Sequence, residues 1–302
     1  MTNKIKLKET NKVLKKNFMD IPLKSSHPTL WQRMKGNTMF MVGISILGTL
    51  ILSAVLLPWI YPNYEQTSLE HTLSQPGKMF PFGTDSLGRC MLARTVQGIR
   101  LSLLIAVTAT LIDVFVGLLW STIALSAGKK VAFLMMRITE ILFSIPRIPV
   151  IILLLVIFDH GILPLILAMT LTGWIPIARI IYGQFLLLEN KEFVLSAKTM
   201  NASTFHILRK HLLPNTLTPI ISTLIFTIPG AIYTEAFISF LGLGIQPPQA
   251  SLGTLVKEGI NAIDYYPWLF FIPSFFMITL SISFNLIGEG AKALFIEENS
   301  HA

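Results

Sequence analysis

The sequence predicts an all-α polytopic membrane protein, a helical bundle with six transmembrane helices. Three observations predict it. Only 13% of the 302 residues are charged and 52% are hydrophobic, whereas a soluble chain is about a quarter charged. The apolar residues gather into runs long enough to cross about 30 Å of hydrocarbon at about 1.5 Å per residue. Nowhere do they alternate with polar residues in the period-two pattern of a β-barrel, the other architecture whose backbone satisfies itself in lipid.

Residues 1–38 form a basic tail, in which Lys4, Lys6, Lys8, Lys12, Lys15, Lys16, Lys24, Arg33 and Lys35 face only Glu9 and Asp20. Lys and Arg collect on the cytoplasmic side of membrane proteins, so the tail is expected in the cytoplasm. It is too long for the charged region of a typical signal peptide. The first span is expected over Met39–Trp59, closing near residue 60, followed by an extracytoplasmic loop over 61–99. The second is expected over Leu101–Ala127 and the third over Val131–Phe158, where Arg137, Glu140 and Arg147 interrupt the apolar run. Ile162–Leu188, Leu217–Phe240 and Trp268–Ile287 complete the set. Residues 100–290 then make a five-helix core containing a polar insert at 189–215.

Six crossings return the tail at 291–302 to the cytoplasmic face of the plasma membrane. Lys129 and Lys130 fall on that face, as do Lys191, Lys198, Arg209 and Lys210 of the insert, while Asp159 falls outside. Lys78, Arg89 and Arg94 run against the pattern. Because the net charge of +8 follows this topology, it implies a lipid environment and no nucleic-acid partner.

The segment GTDSLGRC at 83–90 has the glycine spacing of a phosphate-binding loop. Arg89 stands at the lysine position and Cys90 at the Ser/Thr position, and no strand precedes it. A structured turn leading into the second span is expected instead. His27, His71, His160, His206, His211 and His301 are scattered, and the five-residue step from His206 to His211 does not put both on one α-helical face. No metal site and no catalytic residues are therefore assigned. Cys90 is the one cysteine, so no intrachain disulfide forms. Asp113, Glu140, Arg147 and Glu235 lie in or near apolar runs, where an ionised group costs about 2.5 kcal/mol or more. They either line a polar pathway or pair between helices, for example Glu140 with Arg147. Pro146, Pro149, Pro164, Pro176 and Pro229 mark places where spans kink.

The insert, EFVLSAKTMNASTFHILRKHLLPN at 192–215, reads as two short helices. Asn201 ends the first, since asparagine tolerates the left-handed conformation. Ser203 caps the second by accepting an N–H near His206. Phe205, Leu208 and Leu212 recur on one face with Ile207 beside them, and Pro214 stops the helix. Such a basic amphipathic helix either lies on lipid or docks a cytoplasmic partner.

This insert resembles the EAA loop of ABC importer permeases. Leu195, Ser196 and Ala197 fall on its Glu-Ala-Ala triplet, Asn201 on its glycine, and Leu213 and Pro214 on its closing Leu-Pro. The segments FPFGTDSLGR (80–89), MRITEILFSIP (136–146), GWIPIARIIYGQ (173–184), EAFISFLGLGIQPP (235–248) and NLIGEG (285–290) are similar, in order, to those of the dipeptide/oligopeptide/nickel permease family, C-type subunit. That family usually has His and Asp where this chain has Phe80 and Cys90.

The resemblance implies a type I ABC importer permease fold and half of a heterodimeric pore, shared with a B-type permease subunit. It implies two cytoplasmic ATPase subunits, which would hold the ATP and Mg, and an extracytoplasmic substrate-binding protein. This chain itself would need no cofactor. ATPase docking would fall on Ala197, Asn201, Ala202, Ser203, Phe205, Ile207, Leu208 and Pro214. Di- or oligopeptides are the expected cargo, with nickel or a metal chelate as the alternative and an integral membrane enzyme as the remote one.

Overall fold

Asn37 sets the start of the first helix, because its side-chain oxygen accepts the Phe40 N–H at 3.1 Å. In this computed structural model the described residues are 36–61, 64–158 and 160–300. The basic segment ahead of Gly36 with His27, and Asp159 and His301, lie outside them. Helix α1 is Thr38–Ile60 and α2 is Met91–Ser126. Then come α3 (Lys129–Phe143), α4 (Arg147–Phe158), α5 (Ile162–Glu189) and the short α6 (Glu192–Thr199). Helix α7 is Thr204–Phe240, α8 is Leu252–Ile260 and α9 is Trp268–Ser300. Among the described residues the only β feature is an isolated bridge, Thr84 to Cys90.

Among the described residues five helices (α1, α2, α5, α7 and α9) are long and apolar enough to cross a membrane. The sixth expected span is broken: α3 and α4 meet at an angle of 81°. The cause is local. Pro146 has no N–H to continue the ladder and disfavours helical backbone at Ile145. The Ile145 N–H therefore goes to Leu142 O in a tightened final turn. Pro149 falls in the first turn of α4, where a missing N–H costs nothing.

Two boundaries also differ from expectation. Helix α2 begins at Met91, ten residues before Leu101. Its polar first turns are buried against protein and not exposed to lipid: Arg94 and Thr95 are both fully buried. Helix α7 is one continuous element from Thr204, so Pro214 does not stop it. A π turn at Leu208–Leu212 widens the ladder, with the Leu213 N–H donating to Leu208 O. The extra residue in that turn absorbs the proline's missing donor. At the other end of the chain α9 stays helical through 291–300.

The principal core lies where α2, α4, α5, α7 and α9 converge, built on Ile105, Ala109, Ile151, Leu165, Met169 and Ile232. A second cluster joins Ile177, Ile181 and Phe185 of α5 to Val194 of α6 and to Ile207 and Leu212 of α7. Helix α1 packs along α9 through Phe40, Ile287 and Ala291, and Asn37 Nδ2 donates to Gly290 O at 3.2 Å. Leu52 and Leu56 of α1, Phe115 of α2 and Phe271 and Phe275 of α9 stay exposed, as surfaces that meet lipid or another membrane chain do. The bundle thus has one end carrying the 64–90 loop and α8, and an opposite end carrying α6 and the start of α7.

Candidate functional site

At the α6 end, the chain turns through an elbow of defined geometry. The Asn201 N–H donates to Lys198 O at 3.0 Å and the Ala202 N–H to Ala197 O at 3.1 Å. Asn201 adopts φ +57°. These paired bonds with a left-handed residue form a Schellman cap. Ser203 Oγ then accepts the His206 N–H at 3.2 Å and opens α7. Lys198 pairs with Glu189 at 2.6 Å, tying α6 to the end of α5.

The expected apolar stripe divides in two. Phe205 is 67% exposed, but Ile207 and Leu208 are 5% and 2% exposed and, with Leu212, face inward. Ile207 and Leu212 pack on α5 beside Val194. Of the residues assigned to docking, Ile207 and Leu208 are therefore core residues of this chain. The cause is the continuous helix: once α7 runs unbroken into the membrane, the stripe facing the bundle continues that of the span. Asn201, Ser203, Phe205 and Pro214 remain on the outside, Ala197 and Ala202 half-buried, and the sequence reading missed Met200, which is 83% exposed. The π turn also brings His206 and His211 together, with ring centroids 6.2 Å apart. An α-helical step of five had separated them. Between α3, α5 and this elbow lies a cleft of about 760 Å³, edged by Phe133, Tyr182 and Thr204.

The four intramembrane charges do not converge. Glu140 is exposed and pairs with Arg137 at 2.7 Å, one turn away, and not with Arg147. Arg147 opens α4 and sends Nη2 to Met169 O of α5 at 3.2 Å. Asp113 on α2 is buried against Gly173 of α5, where any Cβ would overlap its Oδ2. Asp113 and Arg147 attract one another electrostatically. Glu235, fully buried, accepts from Ser102 Oγ of α2 at 2.9 Å and from Ser239 Oγ at 2.7 Å. Ser251 Oγ, the cap of α8, donates to Ser239 Oγ at 3.4 Å, and the Leu252 N–H donates to Ser102 Oγ at 3.3 Å, so α8 meets the same network. Glu235 thus joins α2, α7 and α8. Arg179, which the sequence reading passed over, lies over the Phe143 ring at 5.3 Å.

At the opposite end the 83–90 turn is built as expected, with Gly83 and Gly88 at φ +72° and +73°. Asp85 Oδ1 accepts the Leu87 and Arg89 N–H groups, both at 2.9 Å. The turn's own carboxylate therefore occupies the donors a phosphate would need. Asp85 Oδ2 receives Arg89 Nε at 2.6 Å and Arg94 Nη1 at 2.7 Å. Arg94 also reaches Glu258 on α8. This network was not assigned from sequence. Its signal was the persistence of Asp85, Arg89 and Arg94 around the head of an apolar helix. Among the described residues no group of three or more His, Cys, Asp or Glu gathers to hold a metal ion.

Comparison with known proteins places this architecture. Residues 113–291 match the family of binding-protein-dependent transport system inner membrane components, and residues 29–76 match the N-terminal TM domain of oligopeptide transport permease C. The chain is 40% identical over 269 residues to the oligopeptide transport system permease protein OppC of Bacillus subtilis, covering 87% of this chain and 88% of that one. It is 42% identical over 265 residues to the dipeptide transport system permease protein DppC of the same organism, covering 87% and 82%. With the OppC of Escherichia coli K12 it shares 35% identity over 293 residues, 95% of this chain and 97% of that. The fold resembles a chain of the MetNI methionine ABC transporter in an inward-facing crystal form, with a TM-score of 0.56 at 19% identity, covering 68% of this chain and 97% of that. The chain belongs to the binding-protein-dependent transport system inner membrane component family, as a permease subunit of the oligopeptide and dipeptide branch.

Proposed function

We propose that this chain forms half of the translocation pore of an ATP-driven importer of di- and oligopeptides in the plasma membrane. The observation that carries the cargo is the 40–42% identity, over 87% of the chain, to permeases named for oligopeptide and dipeptide transport. The nickel reading is not favoured, because these relatives are named for peptides. An enzyme reading has no support either: Asp113 is buried on α2 while Glu140 is exposed and paired on α3.

In this proposal a B-type permease completes the pore and an extracytoplasmic binding protein delivers peptide. Two cytoplasmic ATPase subunits bind the ATP and Mg. The elbow is their contact: Met200 and Phe205 project from a capped turn that is rigid on its inner side and continuous with α7. Closure of the ATPases would push that lever and bias the bundle between two access states. The N- and C-termini lie in the cytoplasm, as the lysines ahead of α1 and on the elbow suggest.

The test is uptake of labelled dipeptide, oligopeptide and nickel by cells lacking this chain and by cells complemented with it. Loss of peptide uptake alone, restored by complementation, supports the proposal. Unchanged peptide uptake would overturn it.

A further inference from the structure

Four buried polar atoms without a hydrogen-bond partner belong to one region of the bundle. They are Thr110 Oγ1 and Asp113 Oδ1 on α2, Thr172 Oγ1 on α5, and Arg147 Nε at the head of α4. Thr110 and Asp113, three residues apart, share a helix face. Thr172 adjoins Gly173, on which the Asp113 carboxylate rests, and lies one turn from Met169, whose carbonyl holds Arg147. Buried polar groups are ordinarily satisfied, and each exception needs a physical reason.

The arrangement around Arg147 is half-made. Its Nη2 makes one long bond, 3.2 Å, to a backbone carbonyl that already lies within a helix. Its Nε and the Asp113 Oδ1 both stay idle, although the two groups attract each other. Attraction between charges grows as their separation shrinks, and most steeply in a low-dielectric interior. A direct contact would satisfy both idle atoms at once. Asp113 is fixed on one side by the Gly173 backbone, so Arg147 is the mobile partner. Arg147 is also the first residue beyond the break at 144–146, where α3 and α4 meet at 81°. Residues at element ends beside a break are where hinge rotation is absorbed.

We infer that Asp113 and Arg147 are positioning residues that form a two-position latch for the broken helix. In this conformation the guanidinium rests on Met169 O; in the alternate conformation of the cycle it closes on Asp113 Oδ1 and swings α4 against α3. The latch rests on the reading of this chain as a moving pore subunit, and it assigns the pair to gating and not to lining the pathway.

The test uses the whole transporter, purified on a tag carried by this chain, with Cys90→Ser and spin labels at Leu134→Cys on α3 and Val156→Cys on α4, both exposed. Trapping with ATP and vanadate is expected to shift the label–label distance. Asp113→Asn and Arg147→Gln are expected to hold one distance in both conditions and to lower uptake about tenfold. The double variant should be no worse than either single one, because the two act as a unit. A distance shift that survives either substitution, or single losses that multiply in the double, would overturn the latch. So would a native complex whose α3–α4 distance ignores nucleotide. If the Asn and Gln variants do not assemble, Asp113→Glu and Arg147→Lys keep the charges and should keep the nucleotide-dependent distance change, while the charge swap Asp113→Arg with Arg147→Asp should restore what either swapped residue alone loses; no restoration would count against the latch. The distance change is read without cargo, so failure of peptide uptake in the native complex would strike the proposed substrate and leave the latch standing.

Discussion

Arg94 and Glu258 stand 164 residues apart in sequence and meet in a bidentate pair, Nη1 to Oε2 at 2.5 Å and Nη2 to Oε1 at 3.0 Å. The same guanidinium holds Asp85 at 2.7 Å. One fully buried arginine therefore fastens the 83–90 turn, the head of α2 and the short helix α8 into a single cap.

Replacing Arg94 with methionine keeps most of the volume but leaves Asp85 with Arg89 alone and removes the Glu258 pair. Leaving a buried charge wholly unpaired costs about 3–5 kcal/mol; because Arg89 still holds Asp85, Arg94→Met is expected to cost less than that and still to lower the unfolding temperature in detergent. Glu258→Gln should cost much less, since Glu258 is partly exposed and Asp85 keeps both arginines. Equal losses in thermal melts would contradict the cap as described.

The two sides of the elbow predict opposite failures. Phe205→Glu places a charge on an exposed side chain, so the protein should insert and accumulate normally while ATPase co-purification and uptake fall. Leu208→Glu buries an unpaired charge and should prevent accumulation altogether. Membrane-fraction immunoblots beside pull-downs separate the outcomes; full ATPase recovery with Phe205→Glu would remove the elbow from the docking surface.

Asn201 holds the cap of α6 at positive φ. Asn201→Gly is expected to be neutral, because glycine adopts that conformation freely. Asn201→Val should cost about 1–2 kcal/mol, because a β-branched side chain lacks the local hydrogen bonding that lets asparagine tolerate a left-handed backbone. Denaturation of the purified chain reads both.

Glu235 accepts from Ser102 of α2 and Ser239 of α7, and Ser251 at the head of α8 bonds Ser239. Glu235→Gln keeps the shape but turns one acceptor oxygen into a donor, so that one serine bond must be remade, for which about 0.5–1.5 kcal/mol is expected. Because Ser251 and the Leu252 N–H of α8 bond the two serines that hold this carboxylate, protease sensitivity should rise near residues 245–262 before the rest of the bundle loosens; uniform loss of stability would count against α8 being held through this network.

Much of the elbow was legible in the sequence because its determinants are local. The left-handed Asn201 and the Ser203 cap act over three or four residues, and the 83–90 turn likewise closes on its own Asp85. What misled was extrapolation along the helix. A proline was read as a stop at Pro214, where a π turn accommodates it, whereas the kink expected at Pro146 opened into a full break, since no such turn forms there. The apolar stripe was assigned to a partner because sequence shows periodicity but not which neighbour fills the facing space. Helix α8 went unrecognised because nine residues, Leu252–Ile260, are too short to register as a span.

The sequence by itself determined the solvent and the secondary structure. Lipid demands long apolar helices, and their lengths, caps and breakers are written in neighbouring residues. Only the tertiary structure decided what each charge does. Arg94 finds Glu258 and Asp85, Glu235 finds Ser102 and Ser239, Glu140 takes Arg137, and Arg147 is left reaching for Met169 beside an unsatisfied Asp113. A charge buried in a membrane bundle must find a partner wherever packing supplies one, and packing is a property of the folded whole.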